Sequence, residues 1–183
     1  MTDREQLREL LLERSLRRGD FLLASGMRST YYIDARPTTM SGRGQLLIGR
    51  VGLAVLDREE WDPAVVGGLT LGADPVAYAI AHAAALAGRT LDAFTVRKQA
   101  KEHGTGRRIE GSFHTGMDVV VVEDVVTTGE SALRAIAAVE EEGGNVMGVL
   151  AVVDREEGGR MRIERAGYPL AALFTASELL AEG

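Results

Sequence analysis

The sequence predicts an α/β fold: a mostly parallel central sheet flanked by helices, with a small N-terminal hood. Two observations carry this. From about Gln45 onward the chain repeats a pattern of strand, glycine turn and helix, with short connections. Val119, Val120, Val121 and Val122 stand in succession, as a strand buried on both faces requires, and such strands belong to parallel sheets covered by helices. The 183 residues suit a single domain, 1–183, with the hood over about 1–40 and the α/β core over about 45–183.

In chain order, the stretch Thr2–Arg18 reads as a helix. Thr2 and Glu5 have capping-box spacing, Leu7, Leu10 and Leu11 share a face, and Gly19-Asp20 is the expected stop. Phe21–Asp34 reads as short strands around Ser25-Gly26. Ala64-Val65-Val66 is a strand ending at Gly67-Gly68. Asp74-Pro75 has the form of an N-cap followed by a first-turn proline, opening a helix to about Leu86. Strands are expected at Asp92–Arg97, Asp118–Glu123, Val146–Val153 and Leu170–Phe174. A helix from Glu130 to Glu142 should stop at Gly143-Gly144, and Thr175 with Glu178 should cap a last short one. In open sheets of this kind ligands lie beyond the carboxyl ends of the strands, so those ends hold the candidate site.

Composition removes several function classes. Apolar residues at 45% with charged residues at 26% describe a globular protein rather than a disordered one. A net charge of −6 argues against non-specific nucleic-acid binding, which depends on clustered positive charge. The absence of cysteine excludes a disulfide framework, a thiolate metal site and a cysteine nucleophile. The N-terminal Met1–Glu5 is charged and unlike a signal peptide, and charges interrupt every apolar stretch before it reaches membrane-spanning length. A cytoplasmic protein with no membrane partner is expected. His82, His103 and His114 are scattered and do not form a metal site, and His82 reads as a residue of an Ala-rich helix.

The strongest local signal runs from Val119 to Ser131. A buried strand leads into Glu123 and Asp124, then Val125-Val126-Thr127-Thr128-Gly129, then a helix beginning at Glu130-Ser131. Backbone N–H groups and hydroxyls at a helix N-terminus suit a phosphate monoester, and adjacent carboxylates can accept hydrogen bonds from ribose hydroxyls. The Gly-Lys-Ser/Thr of a Walker loop is missing. This segment resembles the phosphoribosyl diphosphate (PRPP) motif of type I phosphoribosyltransferases.

The second signal is basic. Arg97, Lys98, Lys101, Arg107 and Arg108 gather around Gly104, Gly106 and Gly111 in an otherwise acidic chain. Cations at a strand end can neutralise charge on a departing diphosphate, closure can exclude water, and His103 can donate a hydrogen bond or move a proton. Arg97-Lys98-x-x-Lys101-x-His103-Gly104, followed by Ile109-Glu110-Gly111, resembles the catalytic loop of the orotate phosphoribosyltransferase family. The resemblance implies that Arg97, Lys98, Lys101 and His103 contact PRPP, with Lys101, His103 and Asp124 catalytic. It also implies a homodimer in which this loop reaches the neighbouring subunit's site.

Other segments follow in the family's order. Gly67–Pro75 resembles the diphosphate turn, placed at Thr70-Leu71-Gly72; the lysine some members carry there is absent. Tyr31 and Tyr32 resemble an aromatic pair that packs on the base, while Ala24 stands where many members have lysine, with Arg28 the nearby cation. Arg155, after Val152-Val153-Asp154, matches an orotate-binding arginine whose fork suits a carboxylate, and Thr127 shares that role.

The resemblance implies transfer of the 5-phosphoribosyl group from PRPP to orotate, giving orotidine 5′-phosphate and diphosphate. Mg²⁺ is the implied cofactor, held mainly through PRPP and water with no direct protein ligand. The alternatives are a PRPP-binding regulator or a phosphoribosyltransferase for another base. A regulator would carry a DNA-binding module or basic surface, and the loop and Arg155 favour orotate.

Overall fold

In the computed structural model the described residues are 1–22, 28–99 and 108–181. Helix α1 (Asp3–Arg14) opens on the expected capping box, with Thr2 Oγ1 accepting from the Glu5 amide at 3.2 Å and the Thr2 amide donating to Glu5 Oε2 at 2.6 Å. It does not continue to Arg18. Positions three, four and seven after Leu11 are Arg14, Ser15 and Arg18, so nothing apolar remains to bury on that face. The chain turns at Ser15, whose buried hydroxyl shares a hydrogen bond with Thr38 Oγ1 at 2.7 Å. Strand β1 (Leu16–Leu22) then pairs antiparallel with β2 (Arg28–Ile33) to make the hood. Gly19-Asp20, the expected helix stop, instead lies inside β1 where the register shifts between Arg18 and Phe21.

Two helices follow, α2 (Arg36–Thr39) and α3 (Gly42–Arg58). Sequence patterning does not mark α3, because Gly42, Gly44, Gly49 and Gly52 dilute it, although its buried side carries Leu47, Ile48, Val51, Val55 and Leu56. Packing is the reason for at least one of those glycines. A Cβ on Gly49 would lie 2.4 Å from the Ala79 carbonyl oxygen of α4 (Ala73–Leu86).

The larger sheet comprises β3 (Val65–Leu69), β4 (Asp92–Val96), β5 (Ile109–Gly111), β6 (Asp118–Val126), β7 (Asn145–Asp154) and β8 (Leu170–Thr175). Its order is β5-β4-β3-β6-β7-β8, and only β5 runs antiparallel to its neighbour. The valine run behaves as a doubly buried strand should. Val120 and Val122 enter the core beneath α1, α3 and α4, while Val119 and Val121 enter the core on the opposite face, with Ala135, Ile136 and Val139 of α5 (Glu130–Glu141) and Ile163 of α6 (Gly159–Arg165). Helix α7 (Ala176–Leu180) carries the second capping box, Thr175 with Glu178. Leu7, Leu10 and Leu11 of α1 pack into the first core, beside the β1–β2 hairpin. No helix among the described residues is long and apolar enough to cross a membrane.

The contact at Gly49 is a point of tight crossing between α3 and α4. Gly49→Ala is expected to lower stability by about 1–3 kcal/mol through overpacking, read from urea unfolding midpoints. An unchanged midpoint would mean that the two helices separate without cost.

Candidate active site

The parallel strands all end on one edge of the sheet. From β3 the chain passes to β4 on one side, whereas β6, β7 and β8 lie on the other, so the topological switch falls between β3 and β6. A crevice forms there because the connections leave in opposite directions. It is a cleft of about 350 Å³ walled by the ends of β3, β6 and β7, by Lys98 after β4, and by hood residues from Tyr32 to Arg36.

A smaller pocket of about 90 Å³ adjoins it, built by Glu123 and residues 125–132. Gly129 takes φ +75°, a left-handed conformation that suits glycine, and turns the chain into α5. No side chain caps α5, so the amide groups at its start face the pocket without a side-chain partner. Thr127, Thr128 and Ser131 add hydroxyls to the same wall. The dipole and these donors favour an anion.

Strand β6 runs past its expected end at Glu123 and continues to Val126, so both Glu123 and Asp124 lie within it. Glu123 is 5% exposed, and its Oε1 has no hydrogen-bond partner among the described residues. Burial, reinforced by the neighbouring Asp124 charge, pushes the Glu123 carboxyl up to about 8, so it is mostly protonated at neutral pH. Burial also raises Asp124, opposed by backbone hydrogen bonds such as the Val125 amide donating to Asp124 Oδ1 at 2.8 Å. A buried acid with an open oxygen is suited to a hydroxyl-bearing ligand.

The turn after β3 presses against this pair. A Cβ on Gly72 would stand 2.5 Å from Asp124 Oδ1, so only glycine lets Thr70-Leu71-Gly72 approach so closely. The Thr70–Leu71 peptide is cis. Asp74 is not the helix cap expected of it: α4 begins at Ala73 with Gly72 in the cap position. The Asp74 carboxylate instead accepts from Thr70 Oγ1 at 2.6 Å and Thr95 Oγ1 at 2.9 Å, fastening the turn to β4.

Arg155 enters the cleft from the end of β7. Its side chain is 7% exposed and lies over the Tyr31 ring, 5.6 Å from the centroid. Nη2 is 2.6 Å from Glu157 Oε1, yet the approach is not along a hydrogen-bond direction, and Nε and Nη2 donate to nothing among the described residues. Asp154 fixes the segment, accepting from the Glu156 amide at 2.9 Å and from Arg160 Nε at 2.8 Å. An almost buried guanidinium whose Nε has no partner among the described residues fits a planar carboxylate ligand.

The remaining sequence candidates divide. Tyr32, Thr70, Leu71, Gly72, Lys98, Val125, Thr127 and Ser131 line the cleft with the acids and Arg155. Val126, Thr128, Gly129 and Glu130 line the smaller pocket. Arg97 turns instead to Glu110 of β5, 3.2 Å away, and is not in the cleft wall. Arg28 pairs with exposed Asp20 on the hairpin, at 2.6 Å. His82 lines a groove between α3 and α4, apart from the cleft. Lys101 and His103 lie outside the described residues, as does Ala24.

Four cleft residues were missed by sequence reasoning: the apolar Ile33 and Leu69, and the charged Asp34 and Arg36. Arg36 donates through Nε to Asp34 Oδ1 at 2.8 Å and through Nη2 to Oδ2 at 2.9 Å. This pairing holds the Asp34 carboxyl below the usual carboxylate range. The available signal was periodicity: Asp34 follows Tyr32 by two, hence on the same side of an extended chain.

A parallel sheet with a carboxylate pair, an uncapped helix start and a glycine-flanked turn meeting at its switch point defines a phosphoribosyltransferase, and the phosphoribosyl transferase domain model matches residues 53–166. The chain is 49% identical to the orotate phosphoribosyltransferase of Aquifex aeolicus, covering 98% of this chain and 99% of that protein. The crystal structure of the Mycobacterium tuberculosis H37Rv orotate phosphoribosyltransferase with Fe(III) dicitrate superposes with a TM-score of 0.87 at 48% identity, covering 98% of this chain and 100% of that one. The same enzyme in complex with PRPP gives 0.83 at 46% identity, covering 97% and 99%. The chain belongs to the orotate phosphoribosyltransferase family.

Glu123 makes a pH-dependent contribution to stability. Its folded value of about 8 lies above the ordinary 4.5, so the folded chain binds the extra proton between the two. That contribution is complete below about 4.5 and is lost as pH rises through about 8. Melting temperatures across this window should fall with rising pH more steeply in the wild type than in Glu123→Gln. Parallel curves for the two proteins would contradict a buried, protonated Glu123.

Proposed function

We infer that the chain transfers the 5-phosphoribosyl group of PRPP to orotate, yielding orotidine 5′-phosphate and diphosphate in de novo pyrimidine synthesis, a pentosyl transfer. The single observation that carries the site assignment is the meeting, in one cleft, of the Glu123-Asp124 pair, the open start of α5 and the buried guanidinium of Arg155. Each suits a different part of the two substrates.

In this reading the amides and hydroxyls of Thr127, Thr128, Gly129, Glu130 and Ser131, with Val125 and Val126 as the wall, hold the 5-phosphate. Glu123 and Asp124 take the ribose hydroxyls, and the Thr70-Leu71-Gly72 backbone meets the diphosphate. Arg155, backed by Tyr31 and assisted by Thr127, grips orotate, with Tyr32 covering it. The bond from ribose C1 to the diphosphate oxygen breaks as the bond from C1 to the base nitrogen forms, and the proton of that nitrogen passes to the departing diphosphate. No enzyme nucleophile is needed. The protein orients two reactants and offers Asp124 to the positive charge that develops at C1. By family resemblance Arg97, Lys98, Lys101 and His103 serve the departing diphosphate, with Lys101, His103 and Asp124 as the catalytic groups.

Mg²⁺ fits this donor set. Asp124, Asp34 and the carboxyl group of Glu123 all line the cleft and offer oxygen donors there. That arrangement suits an ion held mainly by PRPP and water, which would neutralise diphosphate charge when bound. A cytoplasmic homodimer sharing the 97–111 loop completes the proposal, on the same resemblance.

Spectrophotometric consumption of orotate with PRPP and Mg²⁺, matched by diphosphate release, is the expected activity, and Lys101→Ala should cripple it. Folded, PRPP-binding protein that leaves orotate untouched would overturn the base assignment. Arg155→Ala should raise KM for orotate roughly 10- to 100-fold, from the loss of charge-assisted hydrogen bonds, with a smaller change in KM for PRPP. Equal rises for both substrates would place Arg155 elsewhere in the mechanism.

A further inference from the structure

The turn that meets the diphosphate, Thr70-Leu71-Gly72, has no cationic side chain. Backbone amides alone give it directed donors but no full positive charge to set against a strongly anionic leaving group. Asp124 stands against this turn, with Oδ1 2.5 Å from where a Gly72 Cβ would be, and adds negative charge to the same corner. Lys98 lies in the cleft wall after β4, and a second cation, Arg36, enters the wall from the segment after β2.

The geometry around Arg36 is that of a prepared binding group. Asp34 takes its Nε and Nη2 in a side-on fork at 2.8 and 2.9 Å, and the Arg36 amide donates to the same carboxylate at 3.1 Å. Both chain ends of this fork are anchored: the Asp34 amide donates to the Ser15 carbonyl at 3.0 Å, and Arg36 opens α2. Nη1 has no partner among the described residues and keeps both N–H groups for a ligand. The side chain is 52% exposed, open to the cleft rather than packed away. Arg36 lines the same cleft as the acid pair and the 70–72 turn, and its positive charge favours the ionised form of Asp124.

We propose that Arg36 binds the diphosphate end of the donor, and that Asp34 is the positioning residue that holds its guanidinium with Nη1 facing the cleft. The inference rests on the reading that this cleft takes a phosphoribosyl diphosphate. Arg36 supplies the charge that the 70–72 turn lacks, while that turn supplies amides. Because Asp34 fixes one edge of the fork, little side-chain freedom remains to be lost when the ligand arrives. The acceptor product, which has a 5-phosphate and a base but no diphosphate, makes no use of Arg36.

Titration calorimetry with Mg²⁺ present separates these roles, using PRPP, inorganic diphosphate and orotidine 5′-phosphate as probes. Arg36→Ala should weaken PRPP and diphosphate roughly 10- to 100-fold while orotidine 5′-phosphate stays within about twofold of wild type. Arg36→Lys, which keeps the charge and loses the fork, should fall between, and Asp34→Asn should shift PRPP and diphosphate in the same direction as Arg36→Ala but less. Arg28→Ala removes an equal charge from the exposed hairpin pair and should leave all three affinities unchanged. Wild-type affinity of Arg36→Ala for PRPP and diphosphate overturns the proposal, and so does an equal loss for all three probes. A wild-type chain that binds orotidine 5′-phosphate but neither PRPP nor diphosphate overturns the donor reading of the cleft and this proposal with it.

Discussion

Two adjacent carboxyl groups inside a β-strand are the constraint around which this molecule is arranged. Glu123 and Asp124 belong to β6, the strand at the switch point of the sheet, and β6 is flanked by β3 and β7. Carboxylates lose hydration when they are buried so, and the fold answers in two ways. Glu123 keeps its proton, and Asp124 takes backbone hydrogen bonds and the field of Arg36. Neither answer is complete, since Glu123 Oε1 is left without a partner among the described residues. The open oxygen is the local cost of setting two adjacent carboxyl groups inside a buried strand.

The surrounding elements place complementary chemistry at that point. Helix α5 starts immediately after β6 through Gly129, which brings uncapped amides beside the acids. The Gly72 turn presses on Asp124 from β3, and Arg155 arrives from β7 with its backbone amide donating to the Val126 carbonyl at 2.9 Å. Anion donors, carboxyl groups and guanidinium groups therefore lie within one cleft although they come from widely separated parts of the chain. The hood closes the arrangement from outside with Tyr31, Tyr32 and the Asp34–Arg36 pair.

Much of this was legible in the sequence, for physical reasons. The four-valine run can satisfy only a doubly covered strand, and two acids set between that strand and a Thr-Thr-Gly turn mark its end as a candidate site. What was less legible depended on tertiary contact. The glycines of α3 mask its apolar periodicity, and the need for Gly49 is set by Ala79 of another helix. Helix α1 was overextended because arginine is a good helix former, whereas burial ends with Leu11. Asp74 has the sequence form of a cap but is claimed by Thr70 and Thr95, a contact that requires β4 beside β3. Arg36 belongs to no motif in the sequence, and its place in the cleft wall depends on strands and turns far from it in the chain. The sequence also groups Arg97 with Lys98; Lys98 lines the cleft, and Arg97 stands 3.2 Å from Glu110 of the antiparallel β5.

Backbone NMR during titration with ribose 5-phosphate tests the central claim most directly, since this ligand carries the sugar and phosphate but neither diphosphate nor base. The account predicts that the largest amide shifts fall on Thr127, Thr128, Gly129, Glu130 and Ser131, with Glu123 and Asp124 next, and that Tyr31 and Arg155 move little. Saturable binding that leaves the start of α5 unmoved would contradict it.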